Sequence, residues 1–183
     1  MEHDLSEIRI RLQDLGIDIL RLVYADVLGI TRSKDLMVSQ LEKSAHSGPA
    51  FCQGVWVTTT HGDVLDGHGS IADGLPDFVT KLIPETIRPV PWEPGLAIAV
   101  VDAFEPSGQA SPVAPRSILK GVLEGFQELN LVPIVGPELE FYLAKRTTDG
   151  WERIINKTGR PYTTGSQVDP DGTFLHMMRM VDQ

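Results

Sequence analysis

Glu138 and Glu140 stand two residues apart inside GPELEFYLA, residues 136–144, the most apolar run in the second half of the chain. Read as a strand, the stretch alternates, so Glu138, Glu140 and Tyr142 share one face while Leu139, Phe141 and Leu143 share the other. Carboxylates at i and i+2 lie about 6.5 Å apart, near enough to repel and awkwardly placed to chelate one small ion. A half-buried pair of this kind needs a cation. Each glutamate could ligate its own divalent ion, or one ion and one cationic substrate could sit between them. Hard oxygen donors favour Mg²⁺ or Mn²⁺. The plainer alternative is a solvent-facing strand whose glutamates pair with Lys or Arg of a neighbour.

The elements around this pair are legible. PSGQASPVAP, residues 106–115, is rich in Pro and Ser and nearly uncharged, and it marks a boundary. Pro115 then suits the first turn of a helix whose Ile118, Leu119, Val122, Leu123, Phe126 and Leu129 form one apolar face. A strand over 132–145 follows, then a polar hairpin-like segment, then a helix in DGTFLHMMRMVDQ. One good strand and two helices in this second part cannot easily close a core alone. The expectation is therefore an N-terminal domain over 1–108 and the incomplete first part of a second domain over 109–183, within a longer protein.

In the first part, residues 4–15 carry Leu5, Ile8, Leu12 and Leu15 on one helical stripe, with Gly16 as the stop. Two strands joined around Leu28-Gly29 follow, and Ser39 with Glu42 is read as a capping box. Residues 52–77 are rich in Gly, Asp and His and predict a long ordered loop or a set of short turns, a length uncommon unless the loop binds something or closes a site. GLAIAVVDAFE, 95–105, predicts a central strand.

Composition narrows the function classes. With 42% hydrophobic and 22% charged residues the chain is ordinary globular material. A net charge of −9 and no basic stripe argue against a nucleic-acid surface. The single cysteine, Cys52, allows no intrachain disulfide and reads as a buried structural thiol. Neither a signal-peptide core nor a membrane-length apolar run is visible, so a cytoplasmic location is expected, with no membrane partner.

PELEFYL, set behind a linker, a Pro-Arg pair and an amphipathic helix, resembles the start of the catalytic domain of the glutamine synthetase family. The likeness extends along the chain: VYADVLGITRSKDLMV with Asp26, Gly29 and Lys34, LDGHGSIADGLPD, PETIRPVPWEPGLAIAVVDAF, and YTTGSQVDPDGTFLHMMRMVDQ. Pro91-Trp92 and the lengthened linker look more like the gamma-glutamylpolyamine synthetase branch. The resemblance implies an α+β protein: a β-grasp-like N-terminal domain, then the truncated start of a glutamine-synthetase-type catalytic α/β domain. It implies an ATP-dependent ligase that phosphorylates the side-chain carboxylate of glutamate and couples it to ammonia or an amine. In such a protein Glu138 and Glu140 each ligate one Mg²⁺ or Mn²⁺ ion, and active sites are shared between subunits of a homo-oligomer. An aspartate of the Asp-Gly loop assists the amine, and Asp66 is the match, with Asp73 its rival. The family's Asp-Gly-Ser-Ser is Asp-Gly-His-Gly here, at Asp66 to Gly69, which bears on the amine substrate.

Because the family's further ligands and its ATP segment lie downstream, the resemblance implies that these residues alone have no ligase activity. A non-catalytic oligomerisation or regulatory module of the same fold is the competing reading. Other motifs carry less. Gly-x-Gly-x-x-Ala at 67–72 opens no helix, His61 and His68 lack partners at zinc spacing, and Ser111 and Ser117 have no His-Asp constellation.

Overall fold

The computed structural model describes residues 4–66, 71–138, 143–155 and 159, without the side chains of 45–47. Helix α1, Leu5–Asp14, begins where the Asp4 carboxylate accepts the Ser6 backbone N–H at 2.8 Å, satisfying one of the donors that a helix start leaves open. Ile8 and Leu12 are buried, and the stripe ends there. Gly16, at φ +72°, turns the chain so that the Ile17 N–H reaches the Leu12 carbonyl, leaving Leu15 exposed.

β1 (Ile19–Ala25) and β2 (Thr31–Met37) form the expected antiparallel hairpin, with Leu22 opposite Lys34. The capping box is not formed. Val38–Gln40 is a 3-10 turn, α2 (Leu41–Ser47) starts after Gln40 without a side-chain cap, and Glu42 instead accepts from Arg9 Nε at 2.7 Å. An ion-pair partner on α1 outcompetes the local reach-back that the motif offers.

β3 (Ala50–Cys52), β4 (Asp77–Leu82), β5 (Arg88–Pro89) and β6 (Leu96–Phe104) complete a six-stranded sheet of order β2-β1-β6-β4-β3, with β5 also on β6. β6 is central, as its apolar run predicts. It runs parallel to β1 and antiparallel to β4 and β5. Leu20, Leu22 and Tyr24 of β1 and Ala97, Ala99, Val101 and Ala103 of β6 are buried, which is the period-2 pattern of a one-sided core. Ile8, Leu12 and Leu41 from the helices join the same cluster. Burying each large aliphatic chain there contributes about 1.5–3 kcal/mol. Around Phe78 the core is aromatic: the rings of Tyr24 and Trp56 lie 5.5 and 4.8 Å from it, at the separations where edge-to-face and offset contacts are favourable.

α3, Pro115–Glu128, has Pro at its first turn as predicted. It is held through its basic residues rather than its apolar face. Arg116 Nε donates to Asp102 Oδ1 at 2.8 Å and Lys120 Nζ to Asp102 Oδ2, while Ile118, Leu119, Val122 and Leu123 are exposed.

The chain divides into two compact units, Met1–Val132 and Pro133–Gln183. In the second, β7 (Ala144–Thr147) pairs with β8 (Gly150–Arg153) in a two-stranded antiparallel hairpin. The expected strand over 132–145 needs correction. Residues 132–138 lie in no strand, and 139–142 fall outside the described residues. Alternation makes a strand only where a neighbour takes up the backbone N–H and C=O groups, and among the described residues none does so here. The expected C-terminal helix also lies outside the described residues.

Candidate functional site

The segment after β3 is built as a clamped loop. The Gln53 backbone N–H donates to the Pro76 carbonyl at 2.8 Å, tying the loop's first residue to its last turn. The Gln53 side chain is buried, and its Nε2 donates to Glu105 Oε2 at 2.7 Å, just beyond the end of β6. Cys52 is half-buried rather than buried. Its Sγ accepts the Gly54 N–H at 3.3 Å, capping the 3-10 turn Gln53–Val57. A side chain at Gly54 would press on that sulfur and on Leu75, which accounts for the glycine.

Within the clamp the chain makes a narrow reversal. Thr58 bridges Val64, the Thr59 N–H reaches the Asp63 carbonyl at 2.8 Å, and Thr59 Oγ1 accepts the N–H of Asp63 at 3.1 Å. The Leu65 N–H returns to the Val57 carbonyl at 2.8 Å. Asp66 follows directly and is exposed, so its carboxylate is presented to solvent at the mouth of a braced turn. Asp73 lies exposed in the 3-10 turn Ile71–Asp73. Gly67 to Ser70, including His68, fall outside the described residues. His61 is exposed on the same reversal.

Glu138 is exposed, in the second unit, and Glu140 lies outside the described residues. A hard anionic oxygen at Glu138 has the right chemistry for Mg²⁺ or Mn²⁺. Among the described residues, however, no three His, Cys, Asp or Glu side chains gather to hold an ion. The described donors therefore do not make up a divalent-ion site.

Two charge clusters escaped the sequence reading. Asp26 is fully buried at the hairpin turn, where its Oδ1 accepts the N–H of Leu28 and Ile30, each at 2.9 Å, and its Oδ2 accepts from Arg32 Nε at 2.8 Å. Burial pushes its pKa up, but the Ile30 N–H, the Arg32 guanidinium and the Leu28 N–H together hold it below the usual carboxylate value. Asp102, serving both Arg116 and Lys120, is the other. Its signal was present as one acid in an apolar strand and two cations four apart on the following helix.

No protein-family model matches the chain. Among solved structures, an apo GmaS without ligand superposes on 69% of this chain with a TM-score of 0.53 at 24% identity, using 26% of that chain. That likeness shows a shared mixed α/β fold. A glutamine synthetase of Halobacterium salinarum is 31% identical over 139 residues, covering 74% of this chain and 28% of the relative. A gamma-glutamylanilide synthase of Acinetobacter sp is 27% identical over 173 residues, covering 87% of this chain and 33% of the relative. The chain belongs to the glutamine synthetase family, matching its N-terminal part. It spans between a quarter and a third of the length of these relatives. Among the described residues no helix is long and apolar enough to cross a membrane.

Proposed function

We propose that the chain is the N-terminal portion of an ATP-dependent ligase that joins glutamate to ammonia or an amine through an acyl phosphate, and that it is inactive without the remainder. The observation that carries this reading is the 31% identity to a glutamine synthetase over 139 residues. In the complete enzyme the glutamate side-chain carboxylate attacks the terminal phosphorus of ATP and ADP leaves. The amine nitrogen then attacks the acyl carbon and phosphate leaves. Asp66 takes the role of holding the ammonium or accepting its proton, which suits an exposed carboxylate on a braced turn. Glu138 and Glu140 would each hold one Mg²⁺ or Mn²⁺ ion, which would supply positive charge to the phosphoryl and acyl groups. The sheet unit is read as β-grasp-like and the assembly as a cytoplasmic homo-oligomer with shared active sites.

Reconstitution tests this. The chain alone releases no phosphate from ATP and glutamate. Mixed with the Halobacterium relative lacking its own matched segment, it restores amine-dependent phosphate release, and Glu138→Gln, Glu140→Gln or Asp66→Asn removes it. Activity of the isolated chain would overturn the proposal. So would a reconstituted enzyme indifferent to both glutamates.

A second reading, a non-catalytic oligomerisation or regulatory module, draws on the exposed apolar residues of α3, Ile118, Leu119, Val122 and Leu123. Incorporation into a full-length ring of a relative, with no gain of activity, would favour it.

A further inference from the structure

Asp66 is exposed, so its carboxylate stands where the backbone leading to it puts it. That backbone is fixed step by step. The Leu65 N–H is bonded to the Val57 carbonyl, and Val57 ends the 3-10 turn Gln53–Val57. Thr58 Oγ1 donates to the Gly54 carbonyl at 2.7 Å, fastening the end of that turn to its start. At the start, the buried Gln53 amide nitrogen donates to Glu105 Oε2 at 2.7 Å and, over 3.4 Å, to the Asp77 carbonyl, so both of its N–H groups are engaged. Glu105 is itself held: its N–H donates to the Gln109 carbonyl and its carbonyl accepts from Gly108, each at 2.8 Å. Because Glu105 directly follows β6, the path to Asp66 begins at the end of the central strand.

The Gln53–Glu105 pair does more than fill space. A buried, hydrogen-bonded polar pair specifies one geometry, whereas apolar side chains of similar volume pack without fixing a direction. The return limb of the loop carries a second sign. Leu75 sits at φ +51°, a left-handed backbone unfavourable for a residue other than glycine. Its side chain lies against Gly54, and the Gln53 N–H is bonded to the neighbouring Pro76 carbonyl at 2.8 Å. Such backbone persists only where the surroundings over-determine it, and it concentrates at functional positions. We infer that Gln53 and Glu105 are positioning residues for Asp66: they touch no substrate, and they set where its carboxylate meets the amine. The inference rests on the reading of Asp66 as the amine-binding carboxylate.

The test sets Gln53→Ala, Glu105→Ala and Glu105→Gln beside Asp66→Asn in the reconstituted enzyme, with ammonia as the amine. Gln53→Ala and Glu105→Ala each lower kcat/KM for ammonia about 10- to 100-fold, the effect of moving a reacting group by about 1 Å. The KM values for ATP and glutamate stay unchanged. Glu105→Gln keeps an acceptor for Gln53 Nε2 and behaves as the parent does. Loss of stability alone would lower the rate at every substrate level and change no KM. A second measurement uses the full chain by itself: the ¹⁵N order parameter of the Asp66 amide drops from about 0.85 to below about 0.6 in the two alanine variants and holds in Glu105→Gln. If Asp66→Asn impairs the ammonia step while neither alanine variant does, the inference is overturned and the ligase reading stands. If Asp66→Asn leaves the ammonia kinetics untouched, the role of Asp66 falls and takes the inference with it. An Asp66 amide equally ordered in all the chains overturns the positioning whatever the activity.

Discussion

Arg32 Nε donates to Asp26 Oδ2 at 2.8 Å, joining a half-exposed guanidinium to a carboxylate that solvent does not reach. With the two backbone N–H groups on Oδ1, the charge of Asp26 is met on both oxygens, and the hairpin turn depends on it. Truncation by Asp26→Ala strands Arg32 and two N–H groups at once. We expect a loss of about 2–3 kcal/mol in chemical denaturation, less than the about 3–5 kcal/mol of breaking a wholly buried pair because Arg32 still reaches water.

The same carboxylate gives a pH dependence of known sign. Its folded pKa lies below its ordinary value, so the stabilisation is present above about pH 4 and is lost as pH falls through the folded pKa. Denaturation midpoints of the parent should therefore fall on acidification below about pH 4, and the Asp26→Ala protein should show a shallower fall.

At the alkaline end Tyr24 acts in the opposite sense. Burial raises its pKa from 10.0 to about 12, the nearby Arg32 opposing this in part. The contribution to stability is complete below pH 10 and disappears as pH rises through about 12. In an ultraviolet pH titration, Tyr24→Phe should remove a tyrosine that ionises near pH 12. Tyr24 titrating with an unshifted tyrosine value would contradict its buried position.

Gln53 closes the loop at both ends, and its loss should be felt locally. Gln53→Ala leaves Glu105 without its donor and should cost about 1–2 kcal/mol. Hydrogen exchange is the sharper measurement: amides of Thr59, Asp63 and Leu65 should lose protection while those of β1 and β6 keep theirs. Uniform loss across the sheet would mean that the clamp belongs to the global core.

Asp102→Ala tests what holds α3. Each of its ion pairs is partly exposed and contributes only about 0.2–1 kcal/mol, so global stability should change little. The helix has no buried residue of its own, so exchange across Pro115–Glu128 should accelerate. An unaffected α3 would mean that Ala114, buried just before the helix's first turn, is anchor enough.

Several elements could be read from the sequence because the signal was local. Gly16 as a stop, the hairpin about Leu28-Gly29, Pro115 at a first turn and the apolar run of β6 each follow from backbone preference or period. Failures came where a distant partner decided. Ser39 and Glu42 satisfy a capping pattern, but Arg9 on another helix claims the glutamate. Residues 132–138 open the expected strand, yet no described strand lies beside them, and Pro133 and Pro137 have no N–H to offer one. Of the candidate site, the turn-rich character of the loop that carries Asp66 was legible in its Gly, Asp and His content. The Gln53–Glu105 clamp beneath it was not, since nothing in either residue's neighbourhood announces the other.

The parallel pairing of β1 with β6 sets an order of events during synthesis. Leu20 sits beside Ala97, so the first strand waits on the ribosome until the sixth has emerged before its inner edge is covered. The β1–β2 hairpin can close early at low entropic cost, but it then presents an unpaired edge bearing Leu20, Leu22 and Tyr24. Until Phe104 clears the exit tunnel, that nascent edge is a natural target for a chaperone, or for the same edge on a neighbouring chain.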